Sequence, residues 1–249
     1  MLAVYNRDWS RQLCNGCYGY LLSVYEIKAG TAADDQRAEE LGVALLSAVA
    51  TDEQRQAAQI FRTSVTRAEH LSPEVLRFIA TAEHVAGQLD AVRQLEWSPA
   101  VIGLCKAVEM EVVSRILRPL SDCTRGDDLS ADKGDKDIGR IASFCSDPSR
   151  KPPELGTFAY FLQTVIHSKE RRTTSALIRA FLRLAADWAG SQWLLDPEGL
   201  CLTLGVLITN FRNRAAHIDE LGRADYTACR EHVIGSDGMI WKLVISTAP

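Results

Sequence analysis

Residues 196–217 read DPEGLCLTLGVLITNFRNRAAH. Asp196-Pro197-Glu198 is a helix start: a capping carboxylate, a proline where its missing N–H costs nothing, and an acid in the first turn. Leu200 to Phe211 follows as a long apolar run. Leu200, Leu204, Leu207, Phe211, Ala215 and Ile218 recur at helical spacing, so the run predicts a buried helix. Its end has another character: Arg212-Asn213-Arg214-Ala215-Ala216-His217. Two readings stand side by side. Basic residues at a helix C-terminus favour the helix dipole with no further role. The same side chains also bind phosphate, orient a ribose hydroxyl and move a proton.

Working outward, the other signals are helical too. Ser72-Pro73-Glu74 and Ser98-Pro99 open helices by the same N-cap and proline logic. Val75, Ile79, Ala82, Val85, Ala86 and Leu89 form the inner face of the first. Val101, Leu104, Cys105, Val108, Val112, Ile116 and Leu117 form that of the second, which Pro119 is expected to close. Leu155 to Ile166 and the amphipathic Ser175 to Trp188 predict two more helices, separated by a polar turn at Lys169-Glu170-Arg171-Arg172. A last helix is expected from Arg223 to Val233, stopping at Gly235. Before residue 65, helical patterns run from Asp35 to Thr51 and onward through Ile60 and Phe61. Asp237-Gly238 is a turn signal and Met239 to Ser246 alternates, which admits a short strand or C-terminal β-hairpin. Residues 121–153, rich in Asp, Ser, Gly, Lys and Pro, are expected to form a mobile surface insertion with a short helix around Ile138 to Phe144. The fold class is all-α.

The 249 residues, 47% of them hydrophobic, suffice for a substantial core. A net charge of -4 supplies no global basic field for nucleic acid, so RNA binding would need a local patch. The N-terminus lacks a signal peptide's apolar stretch, and no apolar run is long enough to span a bilayer. Seven scattered cysteines suit free thiols in a reducing compartment. The expectation is a soluble cytoplasmic protein. The sequence contains no phosphate-cradling glycine loop, dinucleotide fingerprint, Ser-His-Asp signature or metal-binding histidine pair. Cys14 and Cys17 form a lone C-x-x-C with no second pair, too few ligands for zinc.

An α-helix advances about 100° per residue, so Asn213 and His217 share a face, with Arg214 close by. Arg212 is further round, though its side chain is long; spacing alone does not decide which arginine serves a site. RNA cleaves itself when its 2′-hydroxyl attacks the neighbouring phosphate. That needs a base at the hydroxyl, an acid at the leaving 5′-oxygen and positive charge on the phosphate. Histidine suits the proton transfers and arginine the phosphate oxygens, with no metal required.

Arg212-Asn213, three residues, then His217, at the end of an apolar helix, resembles the motif of the HEPN superfamily. The segments from Ser98 to Glu111 and from Leu221 to Gly235 are similar to the helices that flank that motif. The likeness covers roughly residues 95–245 and leaves 1–95 as a mainly helical N-terminal extension to a HEPN-like domain at 96–249. It implies a helical bundle, often a homodimer with two motif helices facing each other. It also implies a metal- and cofactor-independent endoribonuclease of a toxin or phage-defence system, acting on tRNA or single-stranded RNA. By that likeness His217 does the acid/base work, Arg212 holds phosphate and Asn213 orients. The family also contains non-catalytic RNA- or protein-binding modules, and toxins masked by an antitoxin. One toxin branch carries a modified tyrosine two residues after the histidine. Asp219 stands there in this chain, with Tyr226 nearby.

Arg214, Lys169, Arg171 and Arg172 are candidates for RNA contact. A solvated turn explains Lys169, Arg171 and Arg172 equally well. Arg150 and Lys151, beside Pro152-Pro153, have a similar, weaker claim. Glu109 and Glu111 read as surface carboxylates, with Glu109 a candidate partner for a motif arginine.

Overall fold

The computed structural model describes residues 65–90, 96–136, 138–217 and 220–248, together with Gln56, Ala58, Gln59, Phe61 and Arg62. Among them every regular element is helical and no strand occurs, as the all-α expectation requires. None of these helices is long and apolar enough to cross a membrane. The Cys14/Cys17 pair, the segment from Asp35 expected to be helical, Ile218 and Asp219 lie outside the described residues. By compactness the chain divides into two units. One takes in the described residues up to Val108 with Thr209–Ser236; the other takes in Glu109–Ile208 and the chain from Asp237. The expected division at residues 95 and 96 is a division by resemblance, whereas these units are a division by compactness.

In the first unit, α1 (Pro73–Asp90) starts as its sequence dictates: Ser72 Oγ accepts from the Val75 N–H at 3.3 Å. Val75, Ile79, Ala82, Val85, Ala86 and Leu89 are all buried. Helix α2 (Ser98–Val112) begins in this unit and is apolar nearly all round, the pattern of a fully buried helix. Its start is tied down by Glu96, whose Oε1 accepts from the N–H groups of Ser98 at 3.0 Å and Leu221 at 3.3 Å. The Trp97 N–H donates to the Leu221 carbonyl at 3.0 Å, so the two segments are stitched from both sides.

The unit's last helix, Arg223–Ile234, is held against α1 by one carboxylate. Glu83 Oε1 accepts from the Tyr226 hydroxyl at 2.6 Å, and Arg230 Nε reaches both Glu83 oxygens at 2.8 and 3.1 Å. The Tyr226 ring lies 5.3 Å from that of Trp97. Burial, reinforced by the Glu83 charge, pushes the Tyr226 phenol well above its ordinary pKa, so it stays a donor. Glu83→Ala leaves that hydroxyl and Arg230 without their acceptor. It is expected to lower stability by about 2–4 kcal/mol in urea unfolding. Tyr226→Phe removes one hydrogen bond to the Glu83 carboxylate, which Arg230 still pairs, and should cost about 1.5–3 kcal/mol.

The second unit contains the end of α2 and then a wide i→i+5 turn at Val113–Leu117. There follow α3 (Arg118–Cys123), α4 (Ser130–Lys133), α5 (Gly139–Ser146), α6 (Leu155–His167), α7 (Lys169–Thr174), α8 (Ala176–Ala186) and α9 (Ser191–Leu195). Another wide turn, Pro197–Cys201, leads into α10 (Leu202–Leu207). The core is aromatic. Phe161 meets Phe181 edge-on at 5.2 Å, Phe181 meets Trp188 at 6.4 Å, and Phe158 stacks near Phe161. Ser175 caps α8 through the Ile178 N–H at 3.0 Å, and the buried Asp132 takes the Leu177 N–H at 2.9 Å.

Several expectations need correction. Met239–Ser246 is a helix, not a strand or hairpin. Met239, Ile240, Leu243 and Ser246 are buried, an i, i+3, i+4 pattern that outweighs the partial alternation. Residues 121–153 contain the short helix expected around Ile138 to Phe144, as α5, but are not otherwise a bare surface loop: they also carry α4 and bury Leu129, Ile138, Ile141 and Phe144. Their polar composition hid a sparse but regular apolar set. Pro119 does not end the helical path, because the wide turn before it opens room for the ring where a regular turn would clash. Lys169–Thr174 is a short helix, not a simple turn. All five described cysteines are free thiols.

Glu111 is not a surface carboxylate: it is fully buried, bonded to Arg115, and its Oε2 has no hydrogen-bond partner. Burial raises its pKa from the ordinary value of 4.5, against the pull of Arg115. With the folded value raised, the unfolded chain gives up this proton first. The group's stabilising contribution is complete below pH 4.5 and is lost as pH rises toward the folded value. Glu111→Gln removes that dependence. In urea unfolding, wild type should therefore lose ground to the variant as pH is raised from 4.5 to neutrality.

Candidate functional site

The helical path that begins at Asp196 changes geometry just before its polar end. Helix α10 gives way to a wide i→i+5 turn at Ile208–Arg212, followed by the single α-turn α11 (Asn213–Ala216). Such turns recur at functional sites because they re-aim one residue without breaking the helix. Phe211 and Arg212 are both buried, with Arg212 only 5% exposed. Arg212 Nη1 donates to Asn213 Oδ1 at 3.2 Å, so the two residues act as one unit. Ala215 and Ala216 are completely buried, and their small side chains let the turn pack closely.

His217 ends α11. Its N–H donates to the carbonyls of Asn213 at 2.9 Å and Arg214 at 3.2 Å, closing the last turn. Its backbone then turns extended (φ -87°, ψ -173°), and the residue is exposed. The exposed His217 thus stands one turn beyond the bonded Arg212–Asn213 pair.

Arg214 has a different place. Its Nη1 lies 2.8 Å from Asp225 Oδ1 and donates to the Asn210 carbonyl at 3.3 Å. Asp225 lies in the first turn of helix α12 (Arg223–Ile234), accepting from the Gly222 N–H at 2.9 Å through Oδ2. Partial burial works to raise the Asp225 pKa, but the Gly222 N–H and the Arg214 guanidinium together hold it below the ordinary value. Arg214 thus ties the motif turn to α12. This pairing is what spacing along one helix does not reveal. The Gly222-x-x-Asp225 capping pattern was its one sequence signal.

Lys169, Arg171 and Arg172 belong to the second unit. Arg171 Nη2 lies 2.9 Å from Asp135 Oδ2. Arg172 Nε donates to the Val165 carbonyl at 2.6 Å and its Nη2 to that of Ile166, capping the end of α6. Lys169 is exposed at the start of α7. Two of these three cations therefore hold local structure. Tyr226, near the motif in sequence, is bound to Glu83. Among the described residues, no three His, Cys, Asp or Glu side chains come together as a metal site would require.

No family model matches the chain, and no curated protein or solved structure is significantly similar to it.

Proposed function

We propose that the chain is a HEPN-like, metal-independent endoribonuclease that acts as a homodimer. The observation that carries this reading is the motif's own geometry: Arg212 bonded to Asn213, with His217 exposed one turn on at the end of the same helix. His217 takes the proton from the attacking 2′-hydroxyl. The oxygen attacks phosphorus, the bond to the 5′-oxygen breaks, and that oxygen takes up a proton from the His217 of a second copy. Arg212 neutralises the crowded phosphate and Asn213 orients it. The products are a 2′,3′-cyclic phosphate and a 5′-hydroxyl. A cytoplasmic toxin or phage-defence role, with an antitoxin or another defence protein as partner, follows from the same resemblance.

The deep burial of Arg212 and the Arg214–Asp225 pair favour a second reading, a non-catalytic module that binds RNA or a protein partner. Incubation of the pure protein with total RNA in excess EDTA separates the two. Cyclic-phosphate ends formed without metal support the nuclease. Intact RNA that is nevertheless bound supports the module. Metal-dependent cutting with 3′-hydroxyl ends overturns the proposed mechanism.

A further inference from the structure

The second unit holds an open cleft of about 570 Å³ where the head of α5 meets residues 150–154. Five of its lining side chains are basic: Lys133, Lys136, Arg140, Arg150 and Lys151. Two are acidic, Asp135 and Glu154, which leaves an excess of three positive charges in one concavity of a chain whose net charge is -4.

Both acids are engaged in building the walls. Asp135 Oδ1 accepts from the Ile138 N–H at 3.2 Å, just ahead of α5, and Oδ2 meets Arg171 at 2.9 Å. Glu154, 18% exposed, joins the two sides of the cleft by meeting Arg140 at 3.4 Å and Lys151 at 4.0 Å. The cations stay largely in solvent even where they are paired: Arg140 and Lys151 meet Glu154 yet are 72% and 58% exposed, and Arg150, whose Nε lies 3.2 Å from Asp147 Oδ2 beside the cleft, is 65% exposed. Lys133 and Lys136 are exposed as well. The floor is backbone at close approach, since a Cβ on Gly139 would lie 2.6 Å from the Lys133 carbonyl oxygen. Pro152 and Pro153 stiffen the opposite rim.

We infer that this cleft seats the phosphate backbone of a single-stranded RNA. The inference rests on the ribonuclease reading for its substrate class. Outward-facing Lys and Arg on a rigid, open concavity recognise a run of phosphates and carry no base specificity. The cleft therefore contributes affinity and leaves the position of the cut to other contacts.

The test is fluorescence anisotropy of a short single-stranded RNA with the full chain carrying His217→Ala, so that nothing is cut. A second protein adds Lys133→Gln, Lys136→Gln and Arg150→Gln, three exposed positions, with its melting curve checked against the first. Affinity should fall at least about tenfold. The slope of log affinity against log salt should flatten by about two, the effect of three lost contacts at about 0.7 each. Unchanged affinity and slope overturn the inference. So does displacement of the RNA by polyglutamate as effectively as by unlabelled RNA, which would mark a site for an acidic protein. If the His217→Ala protein binds through the cleft while wild type cuts no RNA, the nuclease reading fails and the RNA site stands. If wild type cuts RNA and the triple substitution changes neither binding nor cutting, the cleft alone fails.

Discussion

If the proposed ribonuclease activity holds, His217→Ala is expected to lower RNA cleavage by about 10²–10⁴-fold, the usual contribution of a positioned acid/base side chain. It leaves the unfolding midpoint nearly unchanged. His217 is exposed and sits where the backbone has already left the helix, and substitutions at such places typically move stability by no more than about 0.5 kcal/mol. The contrast with Arg212 makes the experiment clean. Arg212 is buried and bonded to Asn213, so Arg212→Ala confounds lost chemistry with lost packing. The measurement is the initial rate on total RNA alongside a urea titration of the same preparation. Full cleavage by the His217→Ala protein would end the acid/base assignment. Loss of both activity and fold would make His217 structural.

Gly199→Ala is expected to cost about 2–4 kcal/mol of stability, as much as the loss of Glu83. The reason is close approach. A Cβ at Gly199 would lie 1.9 Å from the Trp193 carbonyl oxygen and 2.9 Å from its carbon, and neither is the mobile end of a side chain. The bend at Gly199 joins α9 to the path toward the motif, with its N–H donating to the Asp196 carbonyl at 2.9 Å. Relieving the clash means moving the start of that path. Gly205, on the same path, has open space where its Cβ would be. Gly205→Ala should stabilise by up to about 1 kcal/mol through helix propensity alone. Equal effects of the two alanines in a thermal melt would contradict the packing argument.

Most helices were legible because their signals are local. Ser72-Pro73-Glu74 and Asp196-Pro197-Glu198 each carry cap and first-turn chemistry that the chain uses as expected, and Ser98-Pro99 opens a helix although the Ser98 hydroxyl bonds Glu96 in place of a helix N–H. Met239–Ser246 was misread because eight residues rich in Ile, Val and Trp suit a strand or a buried helix equally well. Within 121–153 the short helix expected around Ile138 to Phe144 is present as Gly139–Ser146, while Ser130–Lys133 and the burial of the segment were masked by composition, since Leu129, Ile138, Ile141 and Phe144 are few and widely spaced among polar residues.

From the amino-acid order alone came the all-helical class, the caps and the run Arg212-Asn213-x-x-x-His217, because each depends on neighbours within one or two turns. Tertiary structure alone decided the rest. It buried Arg212 and Glu111, drew Arg214 to Asp225, and locked Tyr226 and Arg230 onto Glu83. It also gathered five cations around one cleft. Charge pairing and burial depend on distances between elements remote in sequence, and a one-dimensional pattern carries no such distances.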